Sequence, residues 1–203
     1  MGKITPTIAI TLVAGVALGY LLRGNSPAPQ PQSQEKSMTE NAPQKDSKEW
    51  KIQNAKSAAP DAISKDATVM DWPEKDGAAM PTLQKGTNEW TCLPDWPVSP
   101  GNDPMCVDKM AMQWFGAYMS KKKPQIDQAG LGYMLQGSSD PSNTDPYADK
   151  PAPGEDWTSS PPHIMIFPTG KLDKNVYGTD NKNGKPWIMW AGTPYEHLMI
   201  PVK

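Results

Sequence analysis

Both histidines of this 203-residue chain sit in the same local pattern, His163-Ile164-Met165-Ile166 and His197-Leu198-Met199-Ile200. On a strand, residues i and i+2 face one side, so each segment presents an imidazole and a thioether together. If the two strands are neighbours, His163, Met165, His197 and Met199 converge as a soft nitrogen and sulfur donor set, which suits Cu(I). Trp187 and Trp190 would then offer aromatic faces to a cation. The same pattern also describes two half-buried strands in which methionine fills core space. Met110 and Met112 stand two apart on a helix and point to different faces, so they do not extend the set.

A second donor set lies in the loop Asp140–Asp149, where Asp140, Ser142, Asn143, Asp145 and Asp149 supply hard oxygen ligands of the kind Ca²⁺ takes. Its spacing is not that of a calcium loop, and Asp and Asn beside Pro are ordinary turn residues. For catalysis the residues offer little. No G-x-S-x-G occurs, Gly130-Leu131-Gly132 lacks the rest of a nucleotide fingerprint, and Ser159, Ser160 and His163 are near only in sequence. Asp140, Asp145, Glu155 and Asp156 could supply an acid pair for a hydrolase. No catalytic residue is assigned, and neither Cu(I) nor Ca²⁺ is required.

Trp72 and Trp96 each occupy an Asp-Trp-Pro tripeptide in an expected loop. Tryptophans beside prolines suit a binding surface. The leading expectation is therefore a non-enzymatic binding or accessory module that contacts an envelope partner or small ligand through a Trp/Pro-rich surface. A copper-binding protein built on the two His-x-Met segments and a hydrolase using loop carboxylates are the alternatives.

These residues need elements to hold them. Met80 to Pro94 reads as a hairpin with arms MPTLQ and EWTCLP around Lys85-Gly86-Thr87-Asn88. Asp103 is expected to cap a helix with Pro104 in its first turn. Met110, Trp114, Ala117 and Tyr118 then share one face, Lys121 to Lys123 suit the negative end, and Pro124 stops it. Strands follow over Gly130–Gly137, His163–Pro168, Pro186–Ala191 and His197–Val202. The expected fold is α+β: one antiparallel sheet with a single main helix packed on it, joined by long Pro-rich loops. Cys92 and Cys106 are expected to pair, closing a loop of about 15 residues for roughly 3 kcal/mol in the chain-entropy model and pinning the helix start to the sheet.

Within residues 4–23 the apolar run Ile4–Leu22 carries no charged residue and lies between Lys3 and Arg23. At 1.5 Å per residue such a run spans roughly 30 Å as a helix, which predicts a transmembrane anchor after a cytoplasmic tail of residues 1–3. A cleaved signal peptide would have a shorter apolar core. Residues 24–60, rich in Pro, Gln and Lys, read as a flexible linker, and 61–203 as one globular domain carrying seven of the eight tryptophans and both cysteines. Residues 1–60 hold seven Lys/Arg against four Asp/Glu, and residues 61–203 hold 13 against 18. An acidic domain without a basic stripe argues against nucleic acid as a partner. The expected location is the bacterial cytoplasmic membrane, single-pass, with the C-terminal domain in the periplasm or outside, and with the membrane and an envelope protein as partners.

Three stretches, GTNEWTCLPDWPVSPGNDPMC (Gly86–Cys106), YMLQGSSDPSNTDP (Tyr133–Pro146) and PHIMIFP (Pro162–Pro168), together resemble a group of exported bacterial proteins with no assigned activity. The resemblance covers most of residues 66–203. It implies export and a single domain, and no catalytic residue or cofactor.

Overall fold

Alternating burial along two five-residue strands sets the spine of the fold. The computed structural model describes residues 43–75 and 77–202. In chain order the elements are α1 Lys48–Lys56, α2 Asp61–Ser64, β1 Thr68–Met70, β2 Thr82–Gln84, β3 Thr91–Leu93, β4 Met105–Val107, α3 Lys109–Met119 and β5 Gly130–Met134. They continue with β6 Ser138–Asp140, β7 Thr158–Ser160, β8 His163–Phe167, α4 Lys174–Tyr177, β9 Trp187–Met189 and β10 His197–Pro201. Eight strands form one sheet in the order β2-β1-β3-β4-β5-β8-β10-β9, and β6 pairs with β7 separately. In β5 and β8 the odd positions are buried, placing Met134, His163, Met165 and Phe167 on the core side.

The sheet is mixed, which corrects the expected antiparallel one: β1 runs parallel to β3 and antiparallel to β2. The expected hairpin over Met80–Pro94 does not pair with itself, because β1 lies between its arms. Val69 of β1 is fully buried there. The amides of Thr87 and Asn88 both donate to the Asp66 carbonyl, which anchors the supposed turn to the strand before it. Four helices occur among the described residues rather than one main helix.

The main helix α3 also starts later than expected. Asp108 is its cap, accepting from Ala111 N at 2.7 Å and, through its other oxygen, from Leu131 N at 2.9 Å. Met105–Val107 instead forms strand β4, paired with β3 on one side and β5 on the other. Cys106 therefore lies opposite Cys92 on adjacent strands. The two form a disulfide that staples strand to strand, not helix to sheet. Helix α3 crosses close to β5: a Cβ on Gly130 would sit 2.5 Å from Ala111 N, so only glycine allows the approach.

Helix α1 lies within the segment read as linker. Its Ala55, with Ala58 and Ala59 beyond it, is buried against Val69 and the disulfide, and Ala58 and Ser57 carbonyls accept from Leu135 N and Gln136 Nε2. Small side chains let the helix seat directly on the sheet.

The expected anchor, residues 4–23, lies outside the described residues. Among those described, no helix is long and apolar enough to cross a membrane. The longest, α3, has 11 residues, about 16 Å at helical rise. Within the described residues no element performs the anchored topology, the membrane contact or the single-pass location that the sequence leads one to expect.

Candidate functional site

The side chains that gather around α3 are aromatic. Trp114 and Tyr118, one helical turn apart, point the same way, and their rings stack at 6.0 Å with 19° between planes. Trp190, just past β9, lies parallel to Trp114 (4°, 6.5 Å) and to Tyr118 (20°, 5.2 Å). Tyr147, from the loop after β6, lies parallel to Tyr118 at 2° and 6.1 Å. The four rings form a ladder that runs from Trp114, buried, to Tyr147, 47% exposed. Tyr195 meets Trp114, Tyr118 and Tyr147 edge-on, at 77° to 87°, and acts as a perpendicular buttress.

Every polar head of the outer rings is tied down. Tyr118 Oη donates to the Pro146 carbonyl (2.8 Å) and Trp190 Nε1 to the Ser142 carbonyl (3.0 Å). The Tyr147 and Tyr195 hydroxyls bond to each other, and Tyr195 Oη reaches the Lys122 carbonyl. The loop residues 140–147 is thus a strap stitched over the ladder, with Asn143 adding bonds to Trp187 Nε1 and to the Trp190 amide. Trp190 is held at φ 52°, a left-handed conformation that costs a bulky residue of order 1–3 kcal/mol. The following turn over-determines it: its carbonyl accepts from Thr193 Oγ1 and Thr193 N, and Glu196 accepts from Gly192 N. Lys121 Nζ lies 5.4 Å above the Tyr147 ring.

Beside the ladder lies an acid pair. Asp140 ends β6 and accepts from Ser138 Oγ at 2.8 Å. Asp103, 5% exposed, has an Oδ1 with no hydrogen-bond partner. Burial pushes the Asp103 carboxyl up to about 6, the Ser99 hydroxyl opposing and Asp95 adding. Burial likewise pushes Asp140 up to about 6, with Ser138 opposing and Asp103 adding. Tyr118 is pushed up to about 12, by burial first and by Asp140 next, so the acid pair and the ladder share one electrostatic neighbourhood.

The histidine set does not converge. Met165 and Met199 are direct partners, but His163 stands opposite Pro201, and His197 lies four residues back along β10, about 13 Å of strand rise. His197 is ringed by Trp114, Phe167 and Trp190 at 5.1 to 5.5 Å, carbon surface in place of further ligands. Among the described residues no group of three or more His, Cys, Asp or Glu is placed to hold a metal ion. The copper reading is corrected on that geometry. Of the oxygen donors considered for calcium, Ser142 Oγ accepts from Thr144 N and Asp145 N, Asp145 from Tyr147 N, Asn143 Oδ1 from Trp187 Nε1 and Asp140 from Ser138 Oγ.

Trp72 and Trp96 are half-buried, not displayed. Trp72 Nε1 bonds the Pro94 and Asp95 carbonyls and its ring packs on Phe115. The expected Trp/Pro surface is corrected for Trp72, whose indole fastens its loop to the segment after β3; Trp96 is half-buried. The acidic group that acts on Asp140 of β6 is Asp103, from the loop before β4, rather than Asp145, Glu155 or Asp156, a relation that no sequence spacing signals. Trp114 and Tyr118 were readable as one helical face. Tyr147 and Trp190 carried no periodic signal, since one sits in a loop and the other past a strand end.

An open cleft of about 340 Å³ lies elsewhere, between α3 and the β1–β3 part of the sheet, lined by Thr68, Trp90, Thr91 and Met112 and crossed by the exposed Lys109–Glu89 pair. No family model matches this chain, and no curated protein or solved structure matches it.

Proposed function

We propose that the domain binds a neutral ring-shaped ligand of the saccharide class on the outer rungs of the ladder, Trp190, Tyr118 and Tyr147. The observation that carries this reading is Trp190. A tryptophan kept in a costly left-handed backbone conformation, with its indole parallel to Tyr118, is arranged for its ring face, and strain of this kind gathers at binding sites. Aromatic faces carry negative charge density that attracts the C–H edges of a sugar ring. Both charge signs lie near the rungs, Lys121 over Tyr147 and Asp140 and Asp145 close to Tyr118, which favours a ligand without net charge. Lys121 caps the outermost ring and is the group a ligand displaces.

The test uses the full chain at pH 7 with cellohexaose, chitohexaose and xylohexaose, followed by tryptophan fluorescence and calorimetry. Saturable binding of at least one is expected. Tyr147→Ala should weaken it about tenfold, the equivalent of one stacking contact, and Lys121→Ala should strengthen it. Absence of saturable binding to all three, or binding unchanged by Tyr147→Ala, would overturn the reading.

A further inference from the structure

We infer that Asn183, in the exposed loop between α4 and β9, is a site of spontaneous covalent modification, in which the backbone nitrogen of Gly184 displaces the side-chain amide as ammonia. Asn183-Gly184 is the one Asn-Gly pair in the sequence. Both residues are exposed. Asn183 Oδ1 accepts from Lys185 N at 2.9 Å, an Asx turn that folds the side-chain carbonyl back over the Gly184 peptide. Gly184 stands at φ 70°, a conformation that glycine adopts freely, and a Cβ there would meet nothing within 4 Å. Its amide makes no backbone hydrogen bond among the described residues, so the N–H is open to base from solvent.

Hydroxide takes the proton of the Gly184 amide, and the nitrogen bonds to Asn183 Cγ in a five-membered ring. The carbonyl electron pair moves onto Oδ1, and its return expels Nδ2, which leaves with a proton from water as ammonia. Lys185 N already donates to the oxygen on which that charge gathers, at a distance suited to stabilising an oxyanion. Water then opens the succinimide. Attack at the main-chain carbonyl leaves isoaspartate, and attack at Cγ leaves aspartate. No other described asparagine precedes a glycine. The amide nitrogens of Asn54, Asn88, Asn143 and Asn181 are bonded to Asn102 Oδ1 and to the Ile63, Thr179 and Ser159 carbonyls, and the side chain of the residue after each crowds the attacking nitrogen. The product places a carboxylate between Lys182 and Lys185 and, as isoaspartate, an extra methylene in the main chain. Ile188 N on the Gly178 carbonyl and Asn143 Nδ2 on the Thr179 carbonyl clamp the loop at its base, so the change stays in the loop and Trp190 keeps its place.

The modification is independent of the saccharide reading, so its test omits the ligand. The full chain is kept warm in buffers of pH 6 and pH 8, digested with trypsin at intervals and followed by mass spectrometry. The peptide that begins at Asn183 should gain the mass difference of oxygen over NH and resolve into isoaspartyl and aspartyl forms, faster at pH 8 because the attack needs a deprotonated amide. Peptides carrying Asn143 and Asn181 should stay unchanged over the same interval. Gly184→Ala should slow the change to the level of the other asparagines, and Asn183→Gln, whose ring would be one atom larger, should hold its mass throughout. Tryptophan emission of the intact chain should not follow the modification. An Asn183 peptide of constant mass, a rate equal at the two pH values, or a rate untouched by Gly184→Ala would overturn the site. An emission shift that tracks the modification would overturn its confinement to the loop.

Discussion

Burial shifts two pairs of titratable groups in opposite ways. His163 and His197 lie within the sheet's core face, each with Nδ1 bonded to a carbonyl two residues back, Pro161 at 2.7 Å and Tyr195 at 3.0 Å. A carbonyl only accepts, so Nδ1 carries the proton. Burial pushes both imidazoles down to about 4. Asp103 and Asp140 lie where loops meet a short hairpin, and the same cause pushes them up to about 6. Burial favours whichever form is neutral. The histidines are neutral by default near pH 7, and the aspartates are not. The histidine region is therefore silent under neutral conditions, and the acid region stands near its switching point.

The comparison breaks most severely if the packing around His197 is emptied. Trp114 touches Phe167, Trp190, Tyr195 and His197. Trp114→Ala should cost about 3–5 kcal/mol in denaturant unfolding, and His197 should then titrate closer to its ordinary value by NMR.

The next effect sharpens the contrast through pH. Groups raised in the fold, the two aspartates, contribute stability that is present below about 4 and lost as pH rises through about 6. Groups depressed in the fold, the two histidines, contribute stability that is present above 6.5 and lost as pH falls through about 4. Between pH 4 and 6 the two slopes oppose, so unfolding free energy of the wild type should change little. The double variant Asp103→Asn with Asp140→Asn should uncover the histidine slope, with stability climbing on the order of 3 kcal/mol per histidine from pH 4 to 6.5. Chemical unfolding across that range checks it, and a double variant as flat as the wild type would refute the assignment.

Smaller changes probe the acid side alone. Gly101→Ala should cost about 1–3 kcal/mol by overpacking against Ser139 and Asp103, with no effect on the histidines. Tyr147→Phe, which loses only the hydroxyl bond to Tyr195, should cost about 1 kcal/mol and leave the ring face in place. A much larger loss would mean that the strap depends on that bond more than on its backbone ties.

Local pattern and tertiary arrangement divide the credit unevenly. The helix near 104–119 was legible from the Met110, Trp114, Tyr118 spacing, but its first turn was not, because Pro104 and Asp103 carry the same signals at a strand entrance. Strands β5, β8 and β10 were legible as short, largely apolar runs between turn residues. Strand β1 was missed, since three residues give no period and its parallel partner is 23 residues on. The echoed His-x-Met segments do lie on neighbouring strands, yet their register sets the methionines together and the histidines apart.

By itself the sequence determined which residues pair as a disulfide, that Trp114 and Tyr118 share a face of α3, and that His163 and His197 share a side with methionines, because all of these follow from residue type and short-range periodicity. Only the tertiary structure decided that Tyr147 and Trp190 would join Trp114 and Tyr118 in one ladder and that the 95–104 loop would press onto β6 at Ser139. Those neighbours come from different loops, and loop closure is set by strand order and close packing at Gly101 and Gly130, which no local spacing encodes.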